Sequence, residues 1–171
     1  MQRIGGEEKR LQKFPEYLHD EDMDLSLYSM RLVWAMRVPL EPRWRHTLSS
    51  GAEQCTAWFL ERGSVTMEYP DGTVHAEAGE WMLRRSVNGM QHFAEDTELT
   101  TIRFDLRLRG GLPLFERRAD YVLPQRRAPG LKRAANRLVK RCSGHHRRDG
   151  RLLERGSIPL RENLEIEAAF Q

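Results

Sequence analysis

Between Cys55 and Phe115 the chain reverses direction at short, regular intervals, and that rhythm constrains the fold more than any other feature. The run Thr56–Arg62 ends at Gly63, and Ser64–Tyr69 follows with Val65, Met67 and Tyr69 alternating against Thr66 and Glu68. Alternation of this kind places successive side chains on opposite faces of a strand, and Trp58 and Leu60 share a face of the first run. Pro70-Asp71-Gly72 supplies the next turn, because proline fixes φ and glycine admits positive φ. Thr73–Glu77 is a further short strand, Ala78-Gly79-Glu80 a turn, and Trp81-Met82-Leu83 the strand after it. Leu99–Leu108 then sets Ile102, Phe104, Leu106 and Leu108 on one side and Thr101, Arg103, Asp105 and Arg107 on the other. Short strands with turn signals roughly every 8–12 residues specify a β-sandwich or barrel.

The flanks bound this unit. Residues 1–24 read as a loosely structured lead-in, with the acidic cluster Asp20-Glu21-Asp22 and with Pro15 interrupting any long helix. From Leu27 to Leu40, β-branched and aromatic residues form one or two strands that stop at Pro39 and Pro42. The mainly β domain therefore spans about residues 25–123. A helical pair is expected over 129–170. Leu131, Ala134, Ala135, Leu138, Val139 and Cys142 recur at helical spacing after Pro129-Gly130, and Gly144 closes that helix. The second helix opens at Ser157 or Pro159 and carries Leu160, Leu164 and Ala168 as its spaced apolar positions. The stripe of Leu131, Leu138 and Val139 can cover the outside of the β unit or meet its twin in a second subunit.

At 171 residues, one domain with a proper core and a helical appendage is the expectation. No apolar run approaches the roughly 20 residues that cross a bilayer, and the first residues lack the apolar core of a secretory signal. A cytoplasmic protein with no membrane association is expected. Cys55 and Cys142 suggest no disulfide framework; both read as free thiols, with a redox or adduct-forming role for Cys55 as the other possibility. Charge is polarised. Residues 126–155 hold eleven Lys/Arg against Asp149 and Glu154, so this segment is +9 within a chain of formal net charge +3, and the remainder is −6. Such a segment either follows nucleic-acid phosphates or pairs with acidic surface of its own protein.

A metal-dependent β-barrel enzyme needs three or four His/Glu donors on neighbouring strands. When the glycine of the usual first pattern is registered on Gly63, Thr56 falls in the Glu position and Ser49, Ser50, Gly51 or Ala52 in the His positions. The second pattern retains Gly79 and His92, with spacing two residues too long. No catalytic metal, cofactor or catalytic residue is expected, and no nucleophile elbow, phosphate loop or dinucleotide fingerprint occurs. His145-His146 followed by Arg147-Arg148 reads as a solvated basic loop. What the chain does offer is a ligand cavity. Trp58, Met67 and Trp81 are its expected apolar body, with Trp44, Met82 and Met90 as further contributors; Arg84, or Arg85, is its anionic anchor, and His46 and His92 are its polar rim.

Residues from about 45 to 123 resemble the N-terminal ligand-binding domain of AraC-type transcriptional regulators. The matching pieces are Trp58-Phe-Leu-Glu-Arg-Gly63-Ser-Val-Thr-Met, Ala78-Gly79-Glu80-Trp-Met-Leu, His92, Leu99-Thr-Thr-Ile-Arg-Phe104 and Gly110-Gly-Leu-Pro-Leu-Phe115. The resemblance implies a cupin-like barrel that binds a small effector, then helices that pair subunits into a homodimer, then a DNA-binding domain with two helix-turn-helix motifs. No such pair of motifs occurs in these 171 residues, and the pattern stops inside a helix at Gln171. The chain then represents the sensor and dimerisation portion of a longer protein, reaching DNA only through a domain it lacks. A cupin enzyme acting on a small metabolite is the alternative from another class, and a structural cupin without ligand the third.

Overall fold

The computed structural model describes residues 28–49, 54–85, 89–108, 119–146 and 158–170. The expected lead-in over 1–24 and the Gly110–Phe115 piece lie outside these residues. The chain order is β1 (Tyr28–Pro39), a 3₁₀ turn at Pro42–Trp44, β2 (His46–Ser49), β3 (Gln54–Arg62), β4 (Ser64–Tyr69), β5 (Gly72–Glu77), β6 (Glu80–Arg85), β7 (Gly89–Phe93), β8 (Glu98–Leu108) and β9 (Ala119–Pro124). Two helices follow, α1 (Pro129–Cys142) and α2 (Leu160–Phe170).

The strands form two antiparallel sheets, ordered β1-β8-β3-β6-β9 and β2-β7-β4-β5. Pairing is nested, with β3 against β8 and β4 against β7, as in a jelly roll of the cupin kind. Among the described residues this is a two-sheet sandwich, one of the two architectures that the turn spacing specified. The three expected turns are present. Gly63 (φ 74°), Gly72 (φ 145°) and Gly79 (φ 86°) all adopt positive φ. At Gly63 the space is also closed: a Cβ there would meet the Thr97 backbone at 2.7 Å, so only glycine fits.

Two apolar clusters hold the molecule. Leu60, Val65, Met67, Tyr69, Ala76, Met82, Phe93 and Leu99 fill one part of the space between the sheets. On the opposite face of the five-stranded sheet, Ala35, Ala57, Phe59, Trp81 and Ile102 pack against Ala135, Leu138 and Cys142 of α1 and Ile166 of α2. The stripe of α1 thus covers the outside of its own β unit. Its helix ends at Gly144 (φ 88°), as its sequence specified. For α2 the buried face differs from the expected one: Ile158 and Ile166 are buried, while Leu160 and Leu164 are 74% and 60% exposed. Ion pairs fix that rotation, since Arg141 of α1 contacts Glu165 and His145 lies 2.9 Å from Glu162. The basic segment is therefore neutralised in part by its own protein, Lys132 also pairing with Glu61.

Candidate functional site: a polar row inside the sandwich

Cross-strand register lines up one residue from each strand of the larger sheet. Trp34 pairs with Arg103, Arg103 with Thr56, Thr56 with Arg84, and Arg84 with Asp120. This row faces the second sheet, because Arg84 Nη1 donates to Gln91 Oε1 of β7 at 3.4 Å. The next row along the same face is Met36, Thr101, Trp58, Met82 and Val122. The interior is thus graded. Leu60, Leu99, Val65 and Phe93 make it apolar in one part, and polar side chains crowd the other.

Each guanidinium in the row rests on a tryptophan. Arg84 lies 4.4 Å from the Trp58 ring centroid and Arg103 lies 4.8 Å from that of Trp34. Trp58 is held in turn by Phe93 of the opposite sheet at 5.2 Å, and Trp34 Nε1 donates to Thr101 Oγ1 at 3.3 Å. Stacking of this kind fixes a cation while leaving its N–H edge directed elsewhere. Arg84 is only 5% exposed. Burial pulls its guanidinium below the ordinary arginine value; the Tyr69 hydroxyl and the Asp120 carboxylate oppose that, and the like charge of Arg103 adds to it. Gln91 is oriented by donating from Nε2 to the Trp44 carbonyl at 3.2 Å.

One step further along β1 and β8, Arg31 forks onto Asp105, donating from Nε at 2.9 Å and from Nη2 at 2.5 Å to Oδ2. A hollow of about 240 Å³ opens there, lined by Ser29, Arg31, Asp105 and Arg107. Arg84 and Arg103 thus stand with Asp105 and Asp120 in this half of the interior, and the Arg31 side chain, 66% exposed, lies at its edge. Among the described residues, no group of three or more His, Cys, Asp or Glu side chains converges.

The structure brings together three of the six residues expected at the cavity. Trp58 and Arg84 stack on each other inside the sandwich, and Met67 is fully buried in its apolar part. Trp81 is not with them. It is fully buried on the opposite face of the larger sheet, 5.1 Å from Phe59 and beneath the helices. The reason is period two: Trp81 and Arg84 are three apart on one strand, so they take opposite faces. His46 and His92 also lie elsewhere. They pair with each other on the outer face of the smaller sheet, alternate to the inward Gln91 and Phe93. Trp34, Arg103, Asp105, Asp120 and Gln91 also stand in this part of the interior, and the sequence did not single them out. Alternation had separated Arg103 and Asp105 from Ile102 and Phe104 without revealing which set faces inward.

Cys55 and Cys142 are both buried free thiols. Burial pushes the Cys142 thiol up to about 12, which keeps it protonated and unreactive. Among the described residues no helix is long and apolar enough to cross a membrane.

No protein-family model matches the chain, and no curated protein matches it. Among solved structures it is similar to the protein YhaK from Escherichia coli, at 18% identity and a TM-score of 0.33. That similarity covers 57% of this chain and 40% of the YhaK chain. Strand order and register, with β3 against β8 and β4 against β7, make the sandwich cupin-like.

Proposed function

We propose that this chain is the sensing portion of an AraC-type transcriptional regulator, and that its effector is a small organic anion held between Arg84 and Arg103. The observation that carries this reading is the interior row itself. Two tryptophan-backed guanidiniums flank Thr56 on a face enclosed by a second sheet, where low dielectric strengthens every charge contact. A carboxylate lying over Thr56 receives N–H donors from both sides, and the apolar surface of Trp58 and Met67 receives the rest of the molecule. The chain binds this anion without transforming it.

The route from occupancy to output is short. On β6, Arg84 faces the site while Trp81 and Leu83 face the helices; on β8, Arg103 faces the site while Ile102 and Phe104 face them. Phe104 packs on Phe170 of α2 with ring centroids 5.8 Å apart. An anion that draws Arg103 toward Arg84 thereby shifts the docking surface of α2, and differential contact between the two states is what couples ligand to output. In the whole regulator these helices pair subunits and connect to a DNA-binding domain beyond this chain.

Native mass spectrometry of the purified chain, sprayed with succinate or with benzoate, tests the reading. A one-to-one adduct with either acid, lost in the Arg103→Met variant, is the expected result. Equal adducts in both proteins overturn it, as does failure of both acids to bind.

A further inference from the structure

The outer face of the smaller sheet carries a row that the interior site does not use. His46 of β2 pairs with His92 of β7, His92 with Thr66 of β4, and Thr66 with His75 of β5. Within this row the two imidazoles of His46 and His92 approach Nδ1 to Nδ1 at 2.9 Å, with ring centroids 5.2 Å apart and planes tilted by 55°. His92 Nε2 lies 3.2 Å from Glu68 Oε2. That carboxylate stands beside the far nitrogen of His92, while the Nδ1 atom faces His46. His75 stands apart, its Nδ1 being 2.8 Å from Thr66 Oγ1.

We propose that His46 Nδ1 and His92 Nδ1 together bind a divalent copper- or nickel-class ion on this outer face. Imidazole nitrogens bind such ions at roughly 2.0–2.1 Å. At that length, two nitrogens 2.9 Å apart subtend about 90° at the metal. That is the angle of adjacent positions in square-planar or tetragonal coordination, which copper(II) and nickel(II) favour, rather than the wider tetrahedral angle of zinc. On binding, the ring that carries the proton between the two Nδ1 atoms moves it to its own Nε2, so no net charge is lost or gained by the protein. Glu68 adds a negative charge beside the far nitrogen of His92. Among the described residues no third His, Cys, Asp or Glu completes the set, so water or an external ligand fills the other positions. The site is separate from the interior row. Gln91, the neighbour of His92, points inward to Arg84 while His92 points out.

Titration of the whole chain with copper(II) chloride, read by calorimetry and by nitrogen hyperfine structure in electron paramagnetic resonance, tests the proposal. One equivalent with a two-nitrogen signature is expected. His46→Ala and His92→Ala each weaken binding at least tenfold and remove that signature, Glu68→Gln weakens it less, and His75→Ala leaves it unchanged. Nickel binds more weakly than copper in the same pattern. All three histidines lie at the surface of the sheet, and circular dichroism of each variant verifies that the fold is retained. The proposal is overturned if the two single variants bind copper like the parent, or if the signal disappears instead in a His145→Ala/His146→Ala variant.

Discussion

The ring of Tyr69 lies so close over Gly89 that a Cβ at that glycine would sit 2.2 Å from the ring's Cε1. The two residues belong to neighbouring strands of the smaller sheet, β4 and β7, and the missing side chain lets the tyrosine lie flat against the backbone. From there its hydroxyl faces Arg84 of the opposite sheet. Gly89→Ala therefore displaces Tyr69, and overpacking of this kind costs about 1–3 kcal/mol. Urea unfolding of Gly89→Ala should show that loss. The same substitution in a Tyr69→Leu background should cost much less, because the clashing ring is gone.

Lys132 of α1 docks on the sheet beneath it through a compact cluster. Its Nζ contacts Glu61 and stands 3.9 Å from the Phe59 ring centroid, while Thr100 Oγ1 donates to Glu61 Oε1 at 2.7 Å. The Lys132 and Glu61 side chains are only 13% and 12% exposed. Removing one charge leaves the other poorly solvated, although Arg37, 3.8 Å from Glu61, softens the effect. Lys132→Met is expected to destabilise by about 1–3 kcal/mol. In Glu61→Gln/Lys132→Met the cost should fall below the sum of the two single variants, which a double-mutant cycle measures.

Cys142 sits at the end of α1 with its side chain fully enclosed, and its thiol is pushed up to about 12 by burial. The unfolded chain releases that proton near pH 9, whereas the folded chain retains it. Between these values the folded state binds more protons, so this group's contribution to stability is intact below about pH 9 and is lost as pH rises toward 12. Cys142→Ala should flatten that part of the alkaline stability curve. A thiol reagent at pH 8 should label neither Cys142 nor the buried Cys55 until the protein unfolds.

His146 anchors the chain just after α1, its Nε2 donating to the Ala35 carbonyl at 3.1 Å. Burial lowers its value below the ordinary imidazole range, the Ala35 bond opposes this, and neighbouring His145 adds to it. With the folded value depressed, the unfolded state takes up the proton first as pH falls. Stability should decline as the solution is acidified below about pH 6.5. Chemical unfolding measured across that range should show a shallower decline in His146→Asn.

Much of this architecture was legible because turn chemistry and alternation are local. Gly63, Gly72 and Gly79 marked the turns from β3 to β6, and Leu131 to Cys142 marked α1. The strands β2, β7 and β9 were not, since Gly89-Met-Gln-His-Phe93 and its like are too short and polar to show a period. The site was half legible. Arg84 and Trp58 drew notice as residue types, but alternation yields two faces and does not say which one is enclosed. Here the helices take the apolar face of β8, with Ile102 and Phe104, and the polar face with Arg103 and Asp105 turns inward. The same ambiguity hid the separation of Trp81 from Arg84. In α2 spacing pointed to Leu160, Leu164 and Ala168, whereas Ile158 and Ile166 are buried and Glu162 and Glu165 pair with α1 and its following turn.

Whether the interior row recognises negative charge is decided by a thermal-shift comparison of benzoate with benzamide. The two probes share shape and aromatic surface and differ in the charge that Arg84 and Arg103 would read. A ligand that binds only the folded state raises the midpoint in proportion to its occupancy. Benzoate should raise the midpoint of the parent chain, benzamide should not, and Arg103→Met should abolish the difference. Equal shifts with both probes, or a benzoate shift that survives in Arg103→Met, would contradict the account.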